Sequence, residues 1–68
     1  MITAENNTKR WENIMSQILR FNTLFSATTF AKRCKKLHMV VLGDNGEFWV
    51  AVPAITEWLV QNGYEYAN

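Results

Sequence analysis

Residues 38–52, HMVVLGDNGEFWVAV, decide the fold. Two apolar runs, 39–42 and 48–51, flank the turn-forming tetrad Gly43-Asp44-Asn45-Gly46, the pattern of a β-hairpin. Asp and Asn hydrogen-bond their own backbone in turns, and Gly takes a positive φ without steric cost. The favoured reading is a type I turn over Asp44 and Asn45, closed by Gly46 as the left-handed residue of a G1 bulge. That register sets Leu42 opposite Phe48, Val41 opposite Trp49, Val40 opposite Val50 and Met39 opposite Ala51. The competitor is a two-residue type I′ turn on Asn45-Gly46. It would place Asp44 directly opposite Glu47, and like charges so placed repel.

Side chains alternate along a strand, so one hairpin face carries Val40, Leu42, Phe48 and Val50. The other carries Met39, Val41, Trp49 and Ala51. A half-solvated ribbon would alternate apolar with polar, and this one does not. Leaving the second face wet would forgo about 5 kcal/mol, taking on the order of 200 Å² of apolar area at about 25 cal/mol per Å². Two coverings satisfy this demand. The chain's own helices can sandwich the ribbon, or a second chain can pack on a face or along the open strand edges.

Around the hairpin the sequence reads as helical. Residues 1–8 are polar and read as a flexible arm, with 9–68 as a single domain. Thr8 is a candidate N-cap, and Trp11, Ile14, Met15, Ile18 and Leu19 recur at helical spacing. Asn22 falls on that stripe, so the first helix is expected to stop near 21–23 rather than continue to Leu37. Ser26 or Thr28 starts a second helix, with Phe30, Ala31, Cys34 and Leu37 on one face and Lys32, Arg33, Lys35 and Lys36 on the other. Pro53 suits the first position of a third helix, whose buried stripe is Ile55, Trp58 and Leu59. Gly63 marks its end, with Tyr64 packing back as in a Schellman motif. The tail Tyr64-Glu65-Tyr66 lies on the domain or extends as a strand. The expected fold is therefore α+β: one small domain in the order α-α-β-β-α, a two-stranded antiparallel hairpin packed with three helices.

Composition narrows the function classes. The chain has 68 residues, 49% of them hydrophobic, and three Trp; that is one domain near the lower size limit for folding alone, and not a disordered one. Cys34 is the only cysteine, which rules out an intramolecular disulfide and gives no hint of an oxidising compartment. No run approaches a transmembrane length, and residues 1–8 lack the apolar core of a signal peptide. Asn6-Asn7-Thr8 matches a glycosylation sequon and reads as a chance match in a chain expected to be cytoplasmic. The formal net charge is +1, but its layout is uneven. Lys32, Arg33, Lys35 and Lys36 have no acid among them, and after Lys36 only Asp44, Glu47, Glu57 and Glu65 carry charge. A basic end and an acidic end follow, able to steer partners or to bring copies together head to tail.

The residues with potential chemistry each have a simpler reading. Cys34 and His38 are four apart, on one face if the helix continues, but a zinc site needs three or four ligands and no second His or Cys completes one. The same pair as a nucleophile and base lacks a Gly-rich loop or an oxyanion donor nearby. A small buried Cys and a capping His account for both. No enzyme, metal, cofactor or small-molecule substrate is expected. The basic helix face (Lys32, Arg33, Lys35, Lys36) is the one feature that suggests nucleic acid. A helix pair ahead of a hairpin resembles a winged helix, but the third helix before the wing is missing and Asp44 and Glu47 would set an acidic wing against phosphate. Trp11 and Trp58 read as core, and Trp49 as the tryptophan left exposed in an isolated monomer.

The functional expectation is a small non-catalytic protein-interaction module, either a homo-oligomer such as a homodimer or an accessory or regulatory subunit. Its surface would be Met39, Val41, Trp49 and Ala51, extended by Tyr64 and Tyr66. The alternative is a small nucleic-acid-binding regulator using Lys32, Arg33, Lys35 and Lys36. Neither reading involves a membrane.

Overall fold

A computed structural model describes residues 4–67, with side chains from Arg10 onward. The elements are α1 (Ala4–Met15), β1 (Leu19–Phe21), α2 (Leu24–Arg33), β2 (Met39–Leu42), β3 (Phe48–Ala51), α3 (Pro53–Gln61) and β4 (Glu65–Tyr66). The class is α+β with three helices, as expected. The sheet, however, has four antiparallel strands in the order β1-β3-β2-β4, so the hairpin occupies its centre and is not a lone ribbon. The added edge strands satisfy backbone groups that a two-stranded ribbon would leave to water.

The hairpin register is the one read from the sequence: Leu42 faces Phe48, Val41 Trp49, Val40 Val50 and Met39 Ala51. The Gly43 N–H donates to the Glu47 carbonyl at 2.8 Å, which leaves the three-residue loop 44–46. Within that loop the turn type differs from the favoured reading. Asn45 (φ 57°, ψ 29°) and Gly46 (φ 75°) are both left-handed, and the Glu47 N–H donates to the Asp44 carbonyl at 3.0 Å. This is a type I′ turn on Asn45-Gly46 set inside the bulged register, with Asp44 as the extra residue. Because Glu47 pairs with Gly43, the two acids are not directly opposed. Their carboxylates also find different partners: Glu47 Oε1 accepts from Trp49 Nε1 at 3.1 Å, and Asp44 accepts from the Tyr64 hydroxyl at 3.1 Å.

The topology explains why the hairpin is apolar on both faces. Since β3 is antiparallel to both neighbours, β1 and β2 are parallel to each other with β3 between them, and likewise β3 and β4 enclose β2. The chain thus contains two interleaved crossovers, β1-α2-β2 and β3-α3-β4. Both step the same way across the sheet, but on strands that run oppositely. A common right-handed sense then requires their helices to lie on opposite faces. They do. One cluster joins Val40 and Val50 with Ala27 of α2, flanked by Phe21, Phe30, Ala31, Phe48 and Ala67. The other joins Trp49 and Ala51 with Ile55 and Leu59 of α3 and with Ile18, flanked by Ile14 and Met15 of α1.

Several expectations are corrected by this arrangement. Leu19 was placed on the first helical stripe but opens β1, paired with Val50, because α1 ends at Met15 and a turn over Ser16 and Gln17 releases the chain into the sheet. Residues 8–37 are two helices separated by that strand. Helix α1 begins at Ala4, so Thr8 lies within it and does not cap it; residues 1–3 of the expected arm lie outside the described residues. Helix α2 is capped by Thr23, whose side chain accepts from the Ser26 N–H at 3.1 Å, ahead of either expected start. The third helix follows its reading closely. Pro53 opens it, Gly63 is left-handed (φ 104°), and Tyr64 N–H to Leu59 carbonyl with Gly63 N–H to Val60 carbonyl makes the Schellman pair. The tail then extends as β4, with Tyr66 paired to Val41.

Trp49 was expected to be exposed and is 1% accessible. Its indole lies over Gly43, where an added Cβ would overlap the ring. Gly43 has an ordinary φ of −91°, so space and not conformation is what requires glycine there. Gly43→Ala should lower stability by about 1–3 kcal/mol through overpacking. Asn45→Gly, at a left-handed position, should stay within about 1 kcal/mol of the parent. Urea midpoints at constant m-value measure both, and equal midpoints for the two variants would contradict the packing role of Gly43.

Candidate functional site

The expected interaction face is interior. Val41 (0%), Trp49 (1%) and Ala51 (2%) are sealed by the chain's own α3 and α1, while Met39 and Tyr64 are half-buried. Only Tyr66, on the two-residue edge strand, is exposed. The face that was to meet a partner is therefore filled by α3. Trp11 and Trp58 pack edge to face, centroids 4.6 Å apart, across the seam between α1 and α3. A shallow cleft of about 340 Å³ beside them is lined by Arg10 and Asn62, but Asn62 Nδ2 already donates to the Trp58 carbonyl at 2.7 Å.

The basic residues remain on the surface. Lys32 and Arg33 form the last turn of α2, and Lys35 and Lys36 lie in the bend that follows; all four are exposed. Helix α2 stops because Cys34 leaves helical geometry (φ −70°, ψ 138°). The stop changes the reading of Cys34 and His38, which are not one helical turn apart. Cys34 is half-buried, with its thiol 3.4 Å from the Phe30 carbonyl. His38 Nδ1 lies 2.9 Å from the Lys36 carbonyl, and its ring stands edge-on to Phe30 at 6.4 Å. Among the described residues no group of three or more His, Cys, Asp or Glu is placed to hold a metal ion.

Topology carries the uneven charge of the sequence into three dimensions. The crossover β1-α2-β2 delivers the C-terminus of α2 to the end of the sheet where β2 begins at Met39. At the other end β2 finishes at Leu42, beside Glu65, and the turn presents Asp44 and Glu47. Four strand residues at about 3.3 Å each separate the two ends by roughly 13 Å. That exceeds the screening length of about 8 Å at physiological salt, so these three acids do not cancel the cations; Glu57 stands apart from them on α3, which opens at the cationic end where Ala51 pairs with Met39. The negative end of the α2 dipole, about half a charge, offsets only a small part of the four.

Two residues that the sequence reading did not assign to a site are exposed at the two ends of α2, Leu37 with the cations and Phe25 at the turn end of the sheet. Phe25 on α2 is 79% exposed, and Leu37 in the loop after α2 is 67% exposed. Leu37 would lie inside on a continued helix; the stop at Arg33 turns it out. Phe25 could have been found, because it lies off the Ala27, Phe30, Ala31, Cys34 stripe. Between α2 and the returning segment runs an open groove of about 390 Å³, lined by Thr28, Ala31, Lys32, Leu37 and His38.

The class defined by this geometry is a small α+β domain, a four-stranded antiparallel sheet with helices on both faces and a basic end. Comparison with protein-family models, with curated proteins and with solved structures found no match. None of the described helices is long and apolar enough to cross a membrane.

At the acidic end one titration is perturbed. The Tyr64 phenol is held above its ordinary range by burial first, then by its hydrogen bond to the Asp44 carboxylate and the charge of that group. A tyrosine whose folded pKa is raised contributes stability below its unfolded value, about 10, and that contribution is lost as pH rises through the folded value. In a Tyr66→Phe background, ultraviolet titration should show Tyr64 ionising above the ordinary range. Asp44→Asn should move it part of the way down, since burial persists. An unchanged titration in that variant would contradict the contact.

Proposed function

We propose that this chain is a small non-catalytic binding module whose partner is nucleic acid, held by phosphate contacts from Lys32, Arg33, Lys35 and Lys36. The observation that carries the reading is the gathering of these four exposed cations at one end of the sheet, more than a screening length from Asp44, Glu47 and Glu65. Cations spread over a surface bind polyanions weakly, whereas a cluster releases several condensed counterions in one event. The winged-helix comparison does not enter this reading, because the hairpin tip is acidic and lies at the opposite end from the cations. The protein-interaction reading built on Trp49 and Val41 loses its surface, since those side chains belong to the core.

The reading predicts affinity that falls steeply with salt. Four phosphate contacts give a slope of log K against log salt of about −3.6 on duplex DNA and about −2.8 on a single strand. Fluorescence anisotropy with labelled oligonucleotides of mixed sequence measures it. Lys32→Glu combined with Lys36→Glu should abolish binding at moderate salt, while Arg10→Glu, on the α1 side, should leave it within about twofold of the parent. Absence of binding at low salt, or a slope near zero, would overturn the reading.

A further inference from the structure

We infer that the nucleic acid this surface takes is single-stranded, with one base stacked on Phe25 and a neighbouring base seated in the groove formed by Thr28, Ala31, Lys32, Leu37 and His38. The inference rests on the nucleic-acid reading above and adds the state of the strand. Phe25, Thr28 and Lys32 stand at i, i+3 and i+7, so they form one stripe along α2, with Thr28 and Lys32 lining the groove and Phe25 one turn before Thr28 toward the N-terminus of the helix. Seven residues at about 1.5 Å each put Phe25 roughly 10 Å from Lys32 along the axis, a length suited to consecutive unstacked bases on one side of a line of phosphates. The cations lie at the far end of that stripe and in the bend beyond it.

Exposure of this kind is costly, and free base faces compensate for it most fully. A phenylalanine left 79% exposed and a leucine left 67% exposed give up burial that a chain of this size needs. A duplex keeps its base faces stacked inside and offers such side chains base edges, sugar and phosphate, or a face only at an unstacking cost of about a few kcal/mol. A single strand offers flat base faces, and aromatic stacking beside a basic track is how strands are held without regard to sequence. His38 adds a second ring at the groove wall, fixed in orientation by the Lys36 carbonyl and by Phe30. At the groove, Lys32 and the cations beyond it argue for a polyanion over an apolar protein partner, and Phe25, at the turn end of the sheet, adds a base platform and no positive charge.

The test compares a labelled oligodeoxythymidine with a mixed-sequence duplex at one salt concentration, by anisotropy. The single strand should bind at least about tenfold tighter. Phe25→Ala should weaken it by about 5- to 150-fold, the range of one stacked base, with the salt slope unchanged and the circular dichroism that of the parent. Leu37→Ser provides a second, independent variant with an effect in the same direction. Equal affinities for strand and duplex, or a Phe25→Ala variant that binds the strand like the parent, would overturn the inference while leaving the nucleic-acid reading in place. Binding of neither would overturn both. A salt-sensitive dimer on a sizing column that masks the basic end would also overturn both, since the cations would then serve a second copy of the chain.

Discussion

The indole of Trp49 is the contact on which the rest of the structure depends. It sits on the central strand, closes over Gly43 of the preceding strand end, stacks near Tyr64 at 5.1 Å and lies beneath the Arg20 guanidinium at 5.8 Å. Ile18, Ile55 and Leu59 complete the cluster around it. One side chain thus ties the turn, the edge strand β1, the segment leading into β4 and the α3 layer together. Burying a tryptophan removes about 150–250 Å² from water, or about 4–6 kcal/mol at 25 cal/mol per Å². A domain of this size has a total stability of about 3–10 kcal/mol. Its indole N–H is satisfied by Glu47, so that burial carries no unpaired donor.

What the sequence made legible follows from the range of the interactions involved. The hairpin register, the Pro53 start and the Gly63 stop of the third helix rest on local chemistry, which the residues state directly. The edge strands rest on partners distant in sequence. Leu19-Arg20-Phe21 is three residues long and continues a helical spacing from Trp11, so period alone assigns it to the helix; its strand character comes from pairing with Val50, Trp49 and Phe48. The turn shows the same division. Charge repulsion argued against a type I′ turn on the assumption that Asp44 and Glu47 face each other. A three-residue loop lets Asn45 and Gly46 take left-handed geometry while Glu47 pairs with Gly43.

The exposure of Trp49 was misjudged for a topological reason. The double-sided apolarity of the hairpin was read correctly as a demand for cover on both faces. Whether the cover comes from the same chain is settled by the direction of the two crossovers, which residue patterns do not encode. Once β1 and β4 flank the hairpin, interleaved crossovers of one hand carry α2 and α3 to opposite faces, and the chain satisfies its own demand. The basic cluster was legible as a charge run, and its separation from Asp44, Glu47 and Glu65 follows the expected division into two ends, but Glu57, expected with those acids, lies on α3, which opens at the cationic end.

That isolation and the sandwich have a common origin. The crossover that sends α2 over one face also fixes its C-terminus at the end of the sheet opposite the turn. It cannot return to β2 without the bend that carries Lys35, Lys36 and Leu37 outward. The groove between α2 and segment 37–38 is the gap left by that return. Cationic tip, exposed leucine and groove are thus consequences of one connection, while Phe25 is separate, placed in the first turn of the helix, two residues after the Thr23 cap. Packing does not require an aromatic ring at that position, since α2 already meets the sheet through Ala27, Phe30 and Ala31. A residue that the fold leaves free to be polar, yet is a phenylalanine aligned with Lys32, is the strongest reason to look for the site's ligand along α2 and not at the hairpin.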